Sequence, residues 1–514
     1  MPDKTAKVLM LVVALTTCLV RAQTAAQRAA PAGQGGLGAP PGPVVPVPAG
    51  GDLQAALDAA VPGTTIQLAA GATYTGNFLL RKKPGRGVIT LRSADDAALP
   101  PGKRVTPAEA SKMAKLQFAD PFSPVLRTED GAHDYAIIGI EVSGNAAHPE
   151  YTSIEVGRLE MTTPDQVPTN ILFDRVYVHG DRAKGGHRGL MLNVANGQVI
   201  NSDVRDFFES GRDSQAIGIF NGPGPLLIQN SYVAGSGENF MSGGSDPKIP
   251  NLVPADITIR GNYFYKPLAW KTDHPGSVKN LFELKNARSV TIEDNVFENC
   301  WADAQSGHGI QFTVRNQDKT CPWCTLRDVT FQYNVVKNVS GFAINVLGKD
   351  DQPGVASVQA VNLKVLHNVF LGAGGGFQVT NGFQPTTIAH NVVLGVQGAF
   401  LSLQGNTPSL TFTNNVVAGG LYGITGDGTV GMGLPSLGAS APGHVFTKNV
   451  IEGNREREIA YPSGNYAIPA GSLAARLDRQ CRYTGKETSS DGLPLGADIA
   501  GLLARIPWAA IPCQ

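Results

Sequence analysis

Three things are scarce in this chain, and each scarcity removes a class of function. Net charge is the first: 42 Lys and Arg are balanced by 42 Asp and Glu, so there is no basic field to gather nucleic acid or an anionic membrane surface. Long apolar runs are the second. Beyond residues 8–20, no stretch reaches the roughly 18 apolar residues of a membrane span, which argues against membrane insertion. Helical periodicity is the third, since long segments with apolar residues at 3.6 spacing are nearly absent, and helical folds are excluded. Cysteine is sparse too, at six. Setting aside Cys18 in the leader leaves Cys300, Cys321, Cys324, Cys481 and Cys513, an odd number. Cys321-Pro322-Trp323-Cys324 has redox-pair spacing but lies between β runs with no helix to lower a thiol pKa, so it reads as a loop staple, a metal site with Cys300 being the alternative. Cys481 and Cys513 are expected to clasp the C-terminal segment. No nucleophile motif, phosphate loop or zinc spacing is present.

What the chain has in abundance is repetition. Between residues 135 and 451 one phrase recurs about eleven times: a short alternating β run, an Asn, and a second β run, as in ITIRGNYF (257–264), VTIEDNVF (290–297) and LTFTNNVV (410–417). Self-similarity at this period means a stacked architecture in which each unit buries its apolar face only against its neighbours. A third strand, for example LFELK at 281–285 or IQFTVR at 310–315, completes each turn. Three short strands per turn, punctuated by Gly and Asn, predict an all-β right-handed parallel β-helix over residues 51–453. Asn230, Asn262, Asn295, Asn334, Asn368, Asn391, Asn415 and Asn449, preceded by Asn201 and by Arg175 in the slot before it, are expected to line one inner corner as a ladder of amides. Their role is structural.

Residues 1–22 combine Lys4, Lys7, an apolar core and small residues before position 23, the pattern of a signal peptide, so a secreted or periplasmic location is expected. Residues 23–50, rich in Ala, Gly and Pro, read as an extended tether. Asp52 is a plausible N-cap for a short helix over 53–60 that would plug the first coil. Residues 454–514 carry no repeat phrase and read as a C-terminal cap with a short helix near 473–479.

The spacing of the ladder separates scaffold from site. Asn368 to Asn391 is 23 residues and Asn391 to Asn415 is 24, about the minimum for a bare coil, whereas Asn295 to Asn334 is 39. The extra length forms loops at 243–254, 265–279, 299–309 and 316–324, which should wall a groove open at both ends, as a polymer needs. Period-2 alternation puts Phe282, Leu284, Phe312 and Val314 inside and sends Glu283, Lys285, Gln311, Thr313 and Arg315 to the groove floor. Aligning LFELKN with QFTVRN stacks Lys285 on Arg315 one coil apart, an arrangement that repels unless an anion is bound there. Trp270 and Trp301 on the wall could stack on sugar faces, His308 precedes the floor strand, and Asn345 lies on the next coil's equivalent strand. Glu283 with Glu238, Asp246 or Asp303 could hold a divalent cation.

The cap sequence at 52–78, the Asn phrase over 135–451, and the stretch from FELKNARSVTIEDNVFENC (282–300) to GIQFTVRNQ (309–317) resemble the pectate-lyase-like superfamily. In layout this last stretch is similar to the chondroitinase-B and alginate-lyase-like polysaccharide lyases. The resemblance implies a lyase acting by β-elimination on an acidic, uronate-bearing polysaccharide, with Lys285 as base and Arg315 assisting the leaving oxygen or holding the sugar. It implies substrate contacts from Gln311, Trp270, Trp301, His308 and Asn345, and Ca2+ held by Glu283, Glu238 and Asp246. A monomer is expected. A non-catalytic glycan-binding or cell-surface scaffold, and a glycoside hydrolase, are the alternatives.

Overall fold

The computed structural model describes residues 42–144, 152–354, 356–428, 430–454, 456–511 and 513. The signal-peptide reading for residues 1–22 and most of the tether fall outside the described residues. The chain coils into parallel ladders. The first ladder has 14 strands, running from Val44–Val47 to Val445–Thr447. The other two fuse into one 24-stranded sheet through the long strands Val335–Leu347 and Val369–Thr380, each of which serves two faces of the coil in turn. Strand follows strand at a fixed register, for instance Ile257↔Val290↔Val329↔Leu363, so like residues stack through the solenoid. Phe264 stacks on Phe297 at 4.7 Å and Phe240 on Phe282 at 4.9 Å, giving a continuous column of rings inside the coil.

The helix Leu53–Ala59 forms where expected. Asp52 accepts from the Ala55 amide at 2.9 Å, and Leu53 and Leu57 close the first coil. The tether ends earlier than residue 50, because Val44–Val47 pairs with Thr65–Leu68. The apolar alternation of VVPV outweighs the prolines around it: Pro46 lies in the ladder's first strand, where a missing amide proton is tolerated.

The amide ladder is real but begins later and ends later than the sequence suggests. Asn262, Asn295, Asn334, Asn368, Asn391, Asn415 and Asn449 are buried. Each donates its main-chain N–H and its Nδ2 to the Oδ1 of the next, at 2.9–3.0 Å for Asn262 onto Asn295 and for Asn391 onto Asn415. Asn449 passes the chain on to Asn465, and the strand Tyr466–Ile468 extends the coil beyond residue 453. Asn201 and Asn230 are out of phase by one residue. They hold positive φ (54° and 48°) at the corner, as Arg175 does, while Ser202 and Ser231 take the inner positions. The cause is an ambiguous motif, since in QNSYV and GNYF the Asn can fill either the left-handed corner or the ladder. Asn334→Ala should lower stability by about 3–5 kcal/mol, because it strips the acceptor from the Asn295 amide and the donor from the Ile292 carbonyl, both buried. Asn230→Gly should cost less than about 1 kcal/mol, as glycine accepts that corner. Equal denaturant midpoints for the two variants would refute the distinction.

The C-terminal segment is not an end cap. Its residues Leu473, Leu477, Leu495, Ile499, Leu502 and Ile506 pack on a row of outward valines, Val296, Val335, Val369, Val392, Val416 and Val450, stacked in register on the second ladder. The segment therefore runs back along the side of the solenoid. Trp508 reaches Tyr263 (ring centroids 6.0 Å) and Arg505 lies over Tyr333 at 4.4 Å. The expected helix near 473–479 is a single turn, Ala474–Arg476, and the real helix is Ile499–Arg505. Cys481 is joined to Cys513, and Cys321 to Cys324, while Cys300 is buried and free.

Candidate functional site

The third ladder, which runs through the strands Glu238–Ser242, Asn280–Leu284 and Ile310–Thr313, carries the long loops, and its outward side chains form one polar row. Parallel pairing sets Glu238 beside Asn280 and Glu283 beside Gln311, which in turn is beside Asn345. Phe282, Leu284, Phe312 and Val314 are in the core, as the alternation requires. Hydrogen bonds join the row in three segments. Arg188 donates to Gln215 and Gln215 to Glu238 at 2.8 Å. Asn280 and Thr313 donate to the two oxygens of Glu283 at 3.0 and 3.1 Å. Asn345 donates to Gln311, and Gln311 to Gln305 of the wall loop.

Two carboxylates dominate the electrostatics, and both are almost fully buried, Glu238 at 1% and Glu283 at 3% exposure. Burial first, and then the negative charges of Glu283 and Asp213, push the Glu238 carboxyl up to about 7, against the Gln215 bond and the charge of Lys279. Behind Glu238, Lys266 is wholly buried and donates to the carbonyls of Gly235, Ser236 and Gly237, clamping the turn that presents the carboxylate. Burial draws that amine down to about 8. The Oδ1 of Asn280 is buried and meets no hydrogen-bond donor. A buried acceptor left over between two carboxylates is an incomplete coordination shell in hydrogen-bond terms.

The pH dependence follows from the sign of the Glu238 shift. The native carboxyl binds a proton more tightly than the ordinary 4.5 of the unfolded chain, so this group favours the native state below about 4.5 and that contribution is lost as pH rises to about 7. Glu238→Gln removes the effect. The stability of the wild type minus that of the variant should fall by about 3 kcal/mol between those pH values. A difference independent of pH in denaturant titrations would contradict it.

Several expected site residues are placed otherwise. Lys285 and Arg315 meet through their backbones, the Arg315 amide donating to the Lys285 carbonyl at 3.0 Å, but their side chains part rather than stack. The β-strand ends at Thr313, and the Arg315 guanidinium turns to Asp350 (3.0 Å) and Asp351 (2.6 Å). The Lys285 Nζ lies 3.7 Å from Glu283 and donates to Gln317 at 3.4 Å; its side chain is 19% exposed. Trp270 and Trp301 are core residues, 7% and 6% exposed, with Trp270 edge-on to Phe208, so neither offers a face to a sugar. Asp246 is consumed as a loop staple: one oxygen accepts from the amides of Asp318 and Thr320 and from the Thr320 hydroxyl. Among the described residues no three of His, Cys, Asp and Glu come together as a metal-holding group, so the set Glu283, Glu238 and Asp246 is not assembled. His308 accepts the Phe342 amide on Nδ1, and burial lowers its pKa, making it a neutral brace between coils.

Asn280, Gln215, Asp213, Lys279 and Lys266 belong to the site and were not singled out from sequence. Asn280 directly precedes the LFELK floor and stands in line with Glu238; counting the floor strand from 280 would have found it. Nothing in the pattern betrays Lys266, whose position after Tyr265 reads as a loop start.

A family model described as a right handed beta helix region matches residues 188–393, which include the whole polar row. No curated protein sequence matches the chain. Among solved structures, the PL6 family alginate lyase AlyGC aligns at 14% identity and TM-score 0.45, covering 91% of this chain. The chain spans about three fifths of that enzyme's length, 59%. The Streptococcus pneumoniae surface protein and adhesin PfbA aligns at 14% identity and TM-score 0.41, with 81% of this chain and 94% of that one covered. The catalytic unit of a GH87 alpha-1,3-glucanase from Streptomyces thermodiastaticus aligns at 12% identity and TM-score 0.42, with 81% and 65% covered.

Proposed function

We propose that this chain is an exported, monomeric, carbohydrate-active β-helix protein that cleaves an acidic, uronate-bearing polysaccharide by β-elimination, with Lys285 as the base. The observation that carries this reading is the buried acceptor cluster of Glu238, Asn280 Oδ1 and Glu283 with the partly exposed Lys285 amine at its rim. Two carboxylates and an orphan amide oxygen are a hard oxygen donor set of the type that suits Ca2+. These three residues, rather than the set containing Asp246, would hold the ion. Bound there, Ca2+ would supply the positive charge that receives the uronate carboxylate and stabilises charge developing next to it.

The chain's own residues account for the rest. Lys285 in its neutral form takes the proton from the carbon α to the uronate carboxylate; that electron pair becomes the new C=C bond as the glycosidic C–O bond breaks, and the leaving oxygen takes up a proton. Gln311 and Asn345, bonded to each other along the row, continue the polar floor past the reacting sugar. Lys266 fixes the Glu238 turn from behind. Arg315, tied to Asp350 and Asp351, braces the wall loop.

The direct test is ultraviolet absorbance of unsaturated product on pectate, alginate and chondroitin. Activity should be lost on chelation of divalent cations, return with Ca2+, and not return in Glu238→Gln. New reducing ends without unsaturated product would mean hydrolysis. Binding without cleavage would mean a scaffold.

A further inference from the structure

One outward column of the third ladder changes character at Glu283. Towards the C-terminus, register stacks Glu283, Gln311, Asn345, Gln378 and Ser402, one to a coil. Towards the N-terminus the same column holds Met241, Gly218 and Met191. That side is covered. Met191 and Met241 are 5% and 4% exposed and pack with Phe220 and the half-buried Leu159. Asn221, wholly buried, ties the loop that carries Leu159 to the 243–254 loop. Its Nδ2 donates to the carbonyls of Leu159 and Met161 at 2.8 and 2.7 Å, and its Oδ1 accepts from the amides of Lys248 and Ile249 at 3.1 and 3.2 Å. Met161, Val167, Ile249 and Leu252 form a small core between the two loops. The neighbouring column is shut as well, with Gln215 and Glu238 at 2% and 1% exposure.

The groove expected to be open at both ends is thus stopped on one side by an apolar plug. On the other side it continues: the coils after Asn368 carry no added chain to build a wall, and Asn345 and Gln378 are only half-buried. The four steps from Glu283 to Ser402 cover about 19 Å at the strand spacing, and each step is close to the length of one sugar along a polymer. Amide and hydroxyl side chains both donate to and accept from sugar hydroxyls, whereas a methionine thioether is only a weak acceptor. Met241 lies one coil from Glu283, so no more than about one sugar fits between the reacting position and the plug. We infer that the polymer occupies this lane in one direction only, with its reacting sugar at Glu283 and Lys285, its body over Gln311, Asn345 and Gln378, and its end against the Met241 plug, so that cleavage releases short products from the chain end. The substrate rests on the uronate-lyase reading above; the one-ended shape of the lane does not.

On whichever of pectate, alginate and chondroitin the wild type cleaves, size-resolved products should be short from the first time point while viscosity falls slowly. A broad ladder of sizes with an early collapse of viscosity would overturn the inference. Calorimetric titration of hexasaccharides of the same three polymers into the Lys285→Ala protein reads the lane without cleavage. Gln378→Ala in that background should weaken binding about fivefold, the scale of one neutral hydrogen bond. Arg127→Ala, in the same column beyond the plug, should leave affinity within about twofold. The Arg127 side chain is exposed and that of Gln378 half-buried, so both variants should fold. Weakened binding in Arg127→Ala, undiminished binding in Gln378→Ala, or binding of none of the three hexasaccharides would overturn the lane. Binding with the expected asymmetry, but no unsaturated product from the wild type, would remove the proposed function and leave the one-ended lane standing.

Discussion

Lys285→Ala is expected to reduce release of unsaturated product from a uronate polymer by about 10²–10⁴, the usual contribution of a positioned general base, while leaving the unfolding midpoint within about 1 kcal/mol of wild type. The side chain is partly exposed and its contacts, Glu283 at 3.7 Å and Gln317 at 3.4 Å, are loose, so little folding energy depends on it. Arg315→Ala should behave in the opposite way. It leaves the buried Asp350 without its cation, so stability drops, while catalysis in the surviving folded protein changes less. Full activity in Lys285→Ala would remove it as base and leave the acceptor cluster as a binding feature.

The contrast between these two cations shows how far the sequence can be read. Alternation correctly placed Glu283, Lys285 and Gln311 on one face, because a period of two is imposed by the strand and by the phenylalanine column beneath it. It failed for the Arg315 side chain: the Arg315 amide does meet the Lys285 carbonyl one coil away, but the strand stops at Thr313 and the guanidinium turns to Asp350 and Asp351. Within the strand, two similar phrases, LFELKN and QFTVRN, align by eye at the wrong offset. The tryptophans failed for another reason. A loop long enough to reach a groove is also long enough to need its own core, and Trp270 and Trp301 supply it. The acceptor cluster was half legible: Glu238 and Glu283 stand out as acids near apolar strands, but Asn280 becomes a candidate only once Glu238 is known to pair with it.

Deleting residues 473–514 should have the largest effect on the fold. It exposes the six valines from Val296 to Val450 together with their partly buried neighbours, a loss on the order of 10 kcal/mol at about 1.5–2 kcal/mol for each side chain uncovered. The bare strip is a contiguous apolar surface on a parallel sheet, the kind that associates. Light scattering of the purified truncation should report aggregates. A monodisperse product with the wild-type unfolding midpoint would show that the segment is only an appendage.

The return path of that segment also bears on the order in which the molecule is made. Tyr263 and Val296 enter their coils some two hundred residues before Trp508 and Leu502 arrive to cover them. A chain synthesised from its N-terminus can wind each coil onto the last with local contacts, yet it carries an uncovered greasy seam until the segment from Leu473 onward is delivered. Winding is thus progressive while sealing is all at once, and every incomplete chain is sticky along the same line. The seam is closed by one late segment: the valine row is covered only in a chain that carries the stretch from Leu473 to Ile511.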